Sequence, residues 1–129
     1  MAWVDIVGLL SLVQLLVFGT MVALARGKYG VAAPATTGHP VFERHYRVQM
    51  NTVESLLVFL PALWLAAKYW SPGYTAALGA VYLVGRTIYY FSYVSDPSKR
   101  SAGYALSMGP AGILLVAALL GALRAALRG

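Results

Sequence analysis

No cysteine occurs among the 129 residues of the chain. That absence excludes disulfides, thiolate metal sites and a cysteine nucleophile, whatever the compartment. Charge is nearly as scarce. Only 11% of residues are charged, against roughly 25% in an ordinary soluble domain, and just four are acidic. Other signatures are missing too. The segment "GKYG" (Gly27 to Gly30) lacks the framework of a phosphate-binding loop. The serines stand in no triad context, Asn51-Thr52-Val53 is not a glycosylation sequon, and no sequence repeat is present.

Apolar length takes the place of charge. The chain is 60% hydrophobic, concentrated in four runs at about Val4–Ala25, Met50–Trp70, Tyr74–Tyr93 and Tyr104–Ala122. Each is close to the ~20 residues a helix needs to cross a ~30 Å hydrocarbon core. The pattern predicts an all-α membrane protein, a bundle of four transmembrane helices. The first run reads as a permanent span, since no Lys or Arg precedes it, Asp5 stands at its start, and no small-residue cleavage site follows. Three short connections leave no room for a second unit, so residues 1–129 read as one domain.

The net charge of +6 does not imply nucleic acid, because the cations are spread along the chain and form no stripe. Their distribution follows membrane topology instead. Arg26, Lys28, Arg44 and Arg47 border the first connection, and Lys99 and Arg100 lie in the third. Lys68, Arg124 and Arg128 fall on the other side. This bias predicts that both termini lie outside and that the first and third connections are cytoplasmic.

The longest connection, Arg26–His45, contains "GVAAPATTGHP", whose Gly, Pro and Thr residues predict irregular structure. The second, "WSPGY", predicts a tight turn with Trp70 and Tyr74 as interfacial anchors. In the third, "SDPSKRSAG", Pro97 disturbs any continuing helix. Gly103, Ser107 and Ala111 recur every four residues, which suits close helix packing. Pro61 and Pro110 are candidate kinks in the second and fourth spans.

Against this background three polar groups stand out at the start of the second span. In "FERHYRVQMNTVE", Asn51 follows Arg47 by four residues and Glu54 follows it by seven. At about 100° per residue the three share a ~60° arc of one helix face. The third span repeats the arrangement with Arg86, Tyr89, Tyr90 and Tyr93. An Arg well inside a span costs roughly 2.5 to 3.5 kcal/mol on insertion scales, so Arg86 needs a partner or a polar cavity. Two readings follow. One is a structural ion pair between Arg86 and Glu54. The other is a polar pocket in which arginine forks hold carboxylates and Glu54 holds an ammonium. A ligand with two carboxylates and one amine matches that inventory. His39, Glu43 and His45 lie close in sequence but lack the spacing of a metal site, and no metal is expected.

The stretches "FERHYRVQMNTVE" and "GRTIYYFSYVSDPSKR" resemble the MAPEG family, the membrane-associated proteins in eicosanoid and glutathione metabolism, and most closely its branch of leukotriene synthases and microsomal glutathione transferases. The likeness runs from about Arg26 to the last span. It implies a homotrimer of four-helix subunits that binds glutathione, as co-substrate, between neighbouring subunits. By that resemblance Arg26, Arg47, Gln49, Asn51, Glu54, Tyr89 and Tyr93 match glutathione-holding positions, with Glu54 on the γ-glutamyl amine, while Arg86 joins them through its place on the Arg86–Tyr93 face. Arg100 matches the catalytic arginine that holds the thiol as thiolate.

Two departures from the leukotriene-synthase pattern stand at Gly27, where a second arginine is usual, and at Ser55, where a tyrosine is usual. The implied activity is transfer of glutathione to lipophilic electrophiles that arrive through the bilayer, with glutathione peroxidase activity and detoxification as related capacities. A bacterial inner membrane with a cytoplasmic active-site side is the expected location. The contrasting readings are a non-catalytic lipid-binding or scaffold protein of the same fold, and a small ion transporter.

Overall fold

The computed structural model describes residues 1–129, and nearly all of them are helical. Four long helices follow one another: α1 (Ala2–Tyr29), α2 (Pro40–Tyr69), α3 (Pro72–Ser95) and α4 (Ser101–Arg128), with a single 3₁₀ turn at Pro97–Lys99 before α4. The punctuation between them is local chemistry. Gly30 adopts a left-handed conformation at φ 68° and closes α1, a position where a Cβ would be strained. His39 caps α2, its Nδ1 accepting from the Val41 N–H at 3.2 Å, with Pro40 in the first turn. Ser71 and Pro72 do the same for α3, where the serine Oγ accepts from the Tyr74 N–H. Asp96 ends α3 and accepts from both the N–H and the hydroxyl of Ser98. Those hydrogen bonds hold its carboxyl below the ordinary aspartate range.

The predicted irregular connection from Arg26 to His45 is shorter than expected. The turn is confined to residues 30–39, because α1 continues to Tyr29 and α2 begins at Pro40. The polar stretch up to Gln49 therefore forms about three helical turns ahead of the apolar run. Pro61 and Pro110 both lie within continuous helices.

Three helices, α1, α2 and α4, are long and apolar enough to cross a membrane. With 24 residues, α3 has the length for the same thickness, but Arg86 and its tyrosines make it less apolar. The exterior suits lipid: only 32 of 129 residues are buried, while Leu16, Leu57 and Phe91 are among many large apolar side chains left exposed. In such a setting packing, not water exclusion, holds helices together. The core joins Val4 and Val7 of α1, Phe59 and Leu63 of α2, Tyr82 of α3, and Ala111 and Leu114 of α4. Tyr82 stacks on Phe59 with ring centroids 3.8 Å apart.

Small residues set how near α3 and α4 come. A Cβ on Gly85 would strike the backbone at Leu106 and Ser107, and one on Gly103 would strike the backbone of Tyr89. The Gly103, Ser107, Ala111 stripe is buried throughout, as its four-residue period predicts. At the same end, Arg44 of α2 donates to the carbonyls of Val94 at 3.1 Å and Ser95 at 3.3 Å. It thereby caps the C-terminus of α3 and places the first and third connections side by side.

Candidate functional site

The α2 stripe is present as drawn from its spacing. Arg47 and Glu54 lie one above the other on the exposed face, with Arg47 Nη1 3.6 Å from Glu54 Oε1 and both side chains more than half exposed. Asn51 sits between them in sequence and is half-buried. An exposed ion pair of this kind contributes about 0–1 kcal/mol, so either charge can be redirected to a ligand at little cost.

Arg86 is 0% exposed and does not meet Glu54, which corrects the ion-pair reading. Its partners are neutral. Nη1 donates to Asn51 Oδ1 at 2.7 Å and to Thr52 Oγ1 at 3.4 Å, and Nη2 donates to Ser107 Oγ at 2.6 Å. The guanidinium also lies over the Tyr89 ring, 4.4 Å from its centroid, a further stabilisation for a desolvated cation. Only Nε has no partner. The partner is an amide because Glu54 lies at the stripe's outer edge, whereas Asn51 and Thr52 turn inward toward α3. Arg86 thus ties α2, α3 and α4 together beneath the stripe, rather than presenting its own fork on the surface.

The aromatic wall follows from the α3 period. Tyr89 is buried, and its ring lies 5.5 Å from Tyr93 and 6.3 Å from Tyr104. Tyr93 opens with Arg47 onto a cleft of about 420 Å³, also lined by Thr36, Pro40, Glu43, Arg44 and Tyr46. Arg100 is exposed at the junction of the 3₁₀ turn and α4, and its Nη1 donates to the Pro97 carbonyl at 3.0 Å. Tyr90 turns away, stacking on Phe18 of α1 at 5.0 Å, with its hydroxyl 3.3 Å from His45 Nδ1.

Arg26 and Gln49 fall elsewhere. Gln49 follows Arg47 by two residues, a ~200° rotation around the helix, and lies against Gly19 of α1. Arg26 donates to the Ala35 carbonyl at 2.6 Å and lies over the Phe42 ring at 4.7 Å. These two candidates occupy the α1 side of α2, away from the Arg47, Asn51 and Glu54 face. Ser55 supplies no substitute for a pocket tyrosine. It is buried and hydrogen-bonds the Tyr82 hydroxyl at 2.7 Å. Gly27 is exposed, with open space around it.

Asn51, Thr52 and Ser107 are the polar groups that spacing alone did not bring to Arg86. For Ser107 the available signal was a hydroxyl on a small-residue stripe inside an apolar run. No three His, Asp or Glu side chains converge as metal ligands.

A family model described as the MAPEG family matches residues 4–120. Microsomal glutathione S-transferase 2 of Homo sapiens is 43% identical, covering 91% of this chain and 78% of that protein. Leukotriene C4 synthase of Cavia porcellus is 39% identical, covering 92% of this chain and 83% of the other. An uncharacterized protein of Synechocystis sp. is 48% identical over 92% of this chain and 86% of its own length.

Proposed function

The chain belongs to the MAPEG family, an integral membrane protein related to glutathione-using enzymes, and from that premise we propose that it conjugates glutathione to lipophilic electrophiles within the bilayer. The observation that carries the reading is the Arg47, Asn51, Glu54 face, with Asn51 held from behind by Arg86 and Tyr93 beside Arg47 at the cleft. Glutathione has two carboxylates, one ammonium and a thiol. Arg47 takes a carboxylate through its planar fork, Glu54 takes the γ-glutamyl ammonium, and Asn51 bridges a remaining polar group. Arg86 is a positioning residue: it orients the Asn51 amide rather than touching glutathione.

A free thiol with pKa ~8.5 is mostly protonated at neutral pH, and a neighbouring cation favours the thiolate. Arg100 supplies that cation. Because arginine stays protonated, it acts as a fixed charge, and the thiol proton passes to water. The thiolate sulfur then attacks the electrophilic carbon. A C–S bond forms as the bond to the leaving group breaks, and the leaving group departs with its electron pair. With an epoxide the ring C–O bond breaks and the alkoxide takes a proton from solvent. Attack on a hydroperoxide oxygen breaks the O–O bond and releases the alcohol, and a second glutathione reduces the resulting sulfenic acid to the disulfide with loss of water, which is the related peroxidase reaction.

Separation of Arg26 and Gln49 from the main face supports a site shared between chains. Within one subunit the two groups face opposite sides of α2, and the α1 side of one copy can close the stripe of the next. Heterologous contact of this kind closes into a ring, and a trimer is the proposed state. α3 completes a four-span subunit, a single domain over residues 1–129. The cation-rich end with the first and third connections faces the cytoplasm of a bacterial cell.

The test is direct. Purified protein should gain thermal stability with added glutathione and form thioether conjugates from a panel of aryl halides, epoxides and hydroperoxide-derived electrophiles. Neither glutathione-dependent stabilisation nor conjugate formation would leave the reading without support and favour a non-catalytic lipid-binding role.

A further inference from the structure

The seven arginines divide in a way that glutathione chemistry does not use. Five are engaged by the chain itself: Arg26 with the Ala35 carbonyl, Arg44 with Val94 and Ser95, Arg47 with Glu54, Arg86 with Asn51 and Ser107, and Arg100 with Pro97. Arg124 and Arg128 have no such partner, and both line the same cavity, about 210 Å³, with Tyr69, Trp70, Gly121 and Ala125. Their spacing of four residues stacks them on one face of the last two turns of α4. Arg124 also lies over the Trp70 ring, 5.9 Å from its centroid. The carboxylates are committed elsewhere. Asp5 accepts from Trp64, Glu43 from the Gly38 N–H, and Asp96 from Ser98, while Glu54 pairs with Arg47.

Trp70 joins this cationic cavity to an apolar one. The second cavity, about 720 Å³, runs along α4 and is lined by Met108, Gly109, Gly112, Ile113, Val116, Ala117 and Leu120 as well as Trp70. Trp70 is fixed at the junction by donating from Nε1 to the Ala117 carbonyl at 2.7 Å. Gly109 and Gly112 line it without side chains and face open space, which leaves a shallow notch along the helix surface. From Arg124 to Gly112 is roughly 18 Å along the helix, about the depth of one leaflet of a ~30 Å core plus part of its headgroup layer.

We infer that this face of α4 is a site for an anionic phospholipid, at the end of the bundle opposite Arg100. The phosphate lies between the Arg124 and Arg128 guanidinium groups, which suit phosphate oxygens, and an acyl chain descends past Trp70 into the glycine notch. Basic pockets between transmembrane helices on the cytoplasmic side bind anionic headgroups; here the same combination stands at the end that the charge distribution puts outside. A charged cavity that shares Trp70 with an apolar groove selects an amphiphile over a free anion or a neutral lipid. The inference does not depend on glutathione chemistry, because none of these residues belongs to that site.

The experiment is native mass spectrometry of the detergent-purified protein, dosed with equal phosphatidylglycerol and phosphatidylcholine of the same acyl composition. Wild type should retain phosphatidylglycerol at least about tenfold better, the factor that corresponds to 1.4 kcal/mol. The double substitution Arg124→Gln and Arg128→Gln should abolish that preference and leave phosphatidylcholine retention unchanged. Gly112→Leu should lower retention of both lipids, because its side chain fills the notch. Lys28→Gln, at the other end of the bundle, should change nothing.

Equal retention of the two lipids by wild type, or a preference that survives the double substitution, overturns the inference. So does an equal loss with Lys28→Gln, which would make bulk charge the cause. Unchanged retention in Gly112→Leu removes the acyl chain from the groove. Displacement of phosphatidylglycerol by inorganic phosphate at matched concentration would assign the cavity to a free anion instead.

Discussion

Arg86 donates to Asn51 Oδ1 at 2.7 Å from one arm of its guanidinium fork and to Ser107 Oγ at 2.6 Å from the other. A single buried cation on α3 therefore fixes the angle at which an α2 amide is presented, and it does so against a hydroxyl supplied by α4. Removing the Ser107 hydroxyl leaves a buried charged donor unmet, a penalty at or above the ~1–3 kcal/mol of a neutral group. Ser107→Ala should lower the thermal midpoint and raise KM for glutathione severalfold, with kcat within about twofold of wild type. A collapse of kcat at unchanged KM would mean that the network acts on the chemical step.

Arg47 and Glu54 give a different expectation, because they are exposed and pair only with each other. Glu54→Ala and Arg47→Ala should leave the fold intact, since surface ion pairs contribute little. Each should weaken glutathione binding by about 10- to 100-fold, the range of a lost charged hydrogen bond at roughly 1.5–3 kcal/mol. Calorimetric titration with glutathione measures this, and turnover at saturating glutathione should be nearly unchanged. Wild-type affinity in both variants would show that the stripe faces no ligand.

For Arg100 the expected signature is in pH. Losing the cation raises the pKa of bound thiol toward its free value of ~8.5, so the thiolate fraction at neutral pH falls. Arg100→Ala should bind glutathione yet lose the ultraviolet absorbance of bound thiolate at neutral pH. Its deficit in rate should be greatest below the raised pKa and shrink as pH rises through it. A variant that keeps both the absorbance and the wild-type pH profile assigns activation to another group.

The division of candidates between two sides of α2 predicts complementation. Subunits carrying Glu54→Ala and subunits carrying Gln49→Ala should each be impaired alone. Co-expressed, they should form mixed oligomers in which some interfaces pair an intact stripe with an intact α1 side. Glutathione conjugation should then exceed the sum of the two single preparations. Activity no greater than that sum would place the whole site within one chain.

The sequence by itself determined the helices, the faces and the demand for a partner. Apolar runs of bilayer length and the Gly- and Pro-containing breaks between them are local signals, and they located the elements, although the polar start of α2 read as connection because its amphipathic turns precede the apolar run. The 3.6-residue period put Arg47, Asn51 and Glu54 on one face, while the reading that grouped Gln49 with them did not register its place on the α1 side. The cost of a buried charge required that Arg86 be satisfied.

Which groups satisfy it was a tertiary decision. Periodicity fixes angles around one helix but not the rotation or axial offset between two. Those were set where Gly85 and Gly103 let the α3 and α4 backbones touch and where Arg44 capped the end of α3. That depth of approach brings Ser107 to Arg86 and leaves Glu54 outside. It also turns Ser55 inward to Tyr82. A one-residue change in offset would shift each side chain by about 1.5 Å and 100°, enough to exchange one polar partner for another without altering any helix.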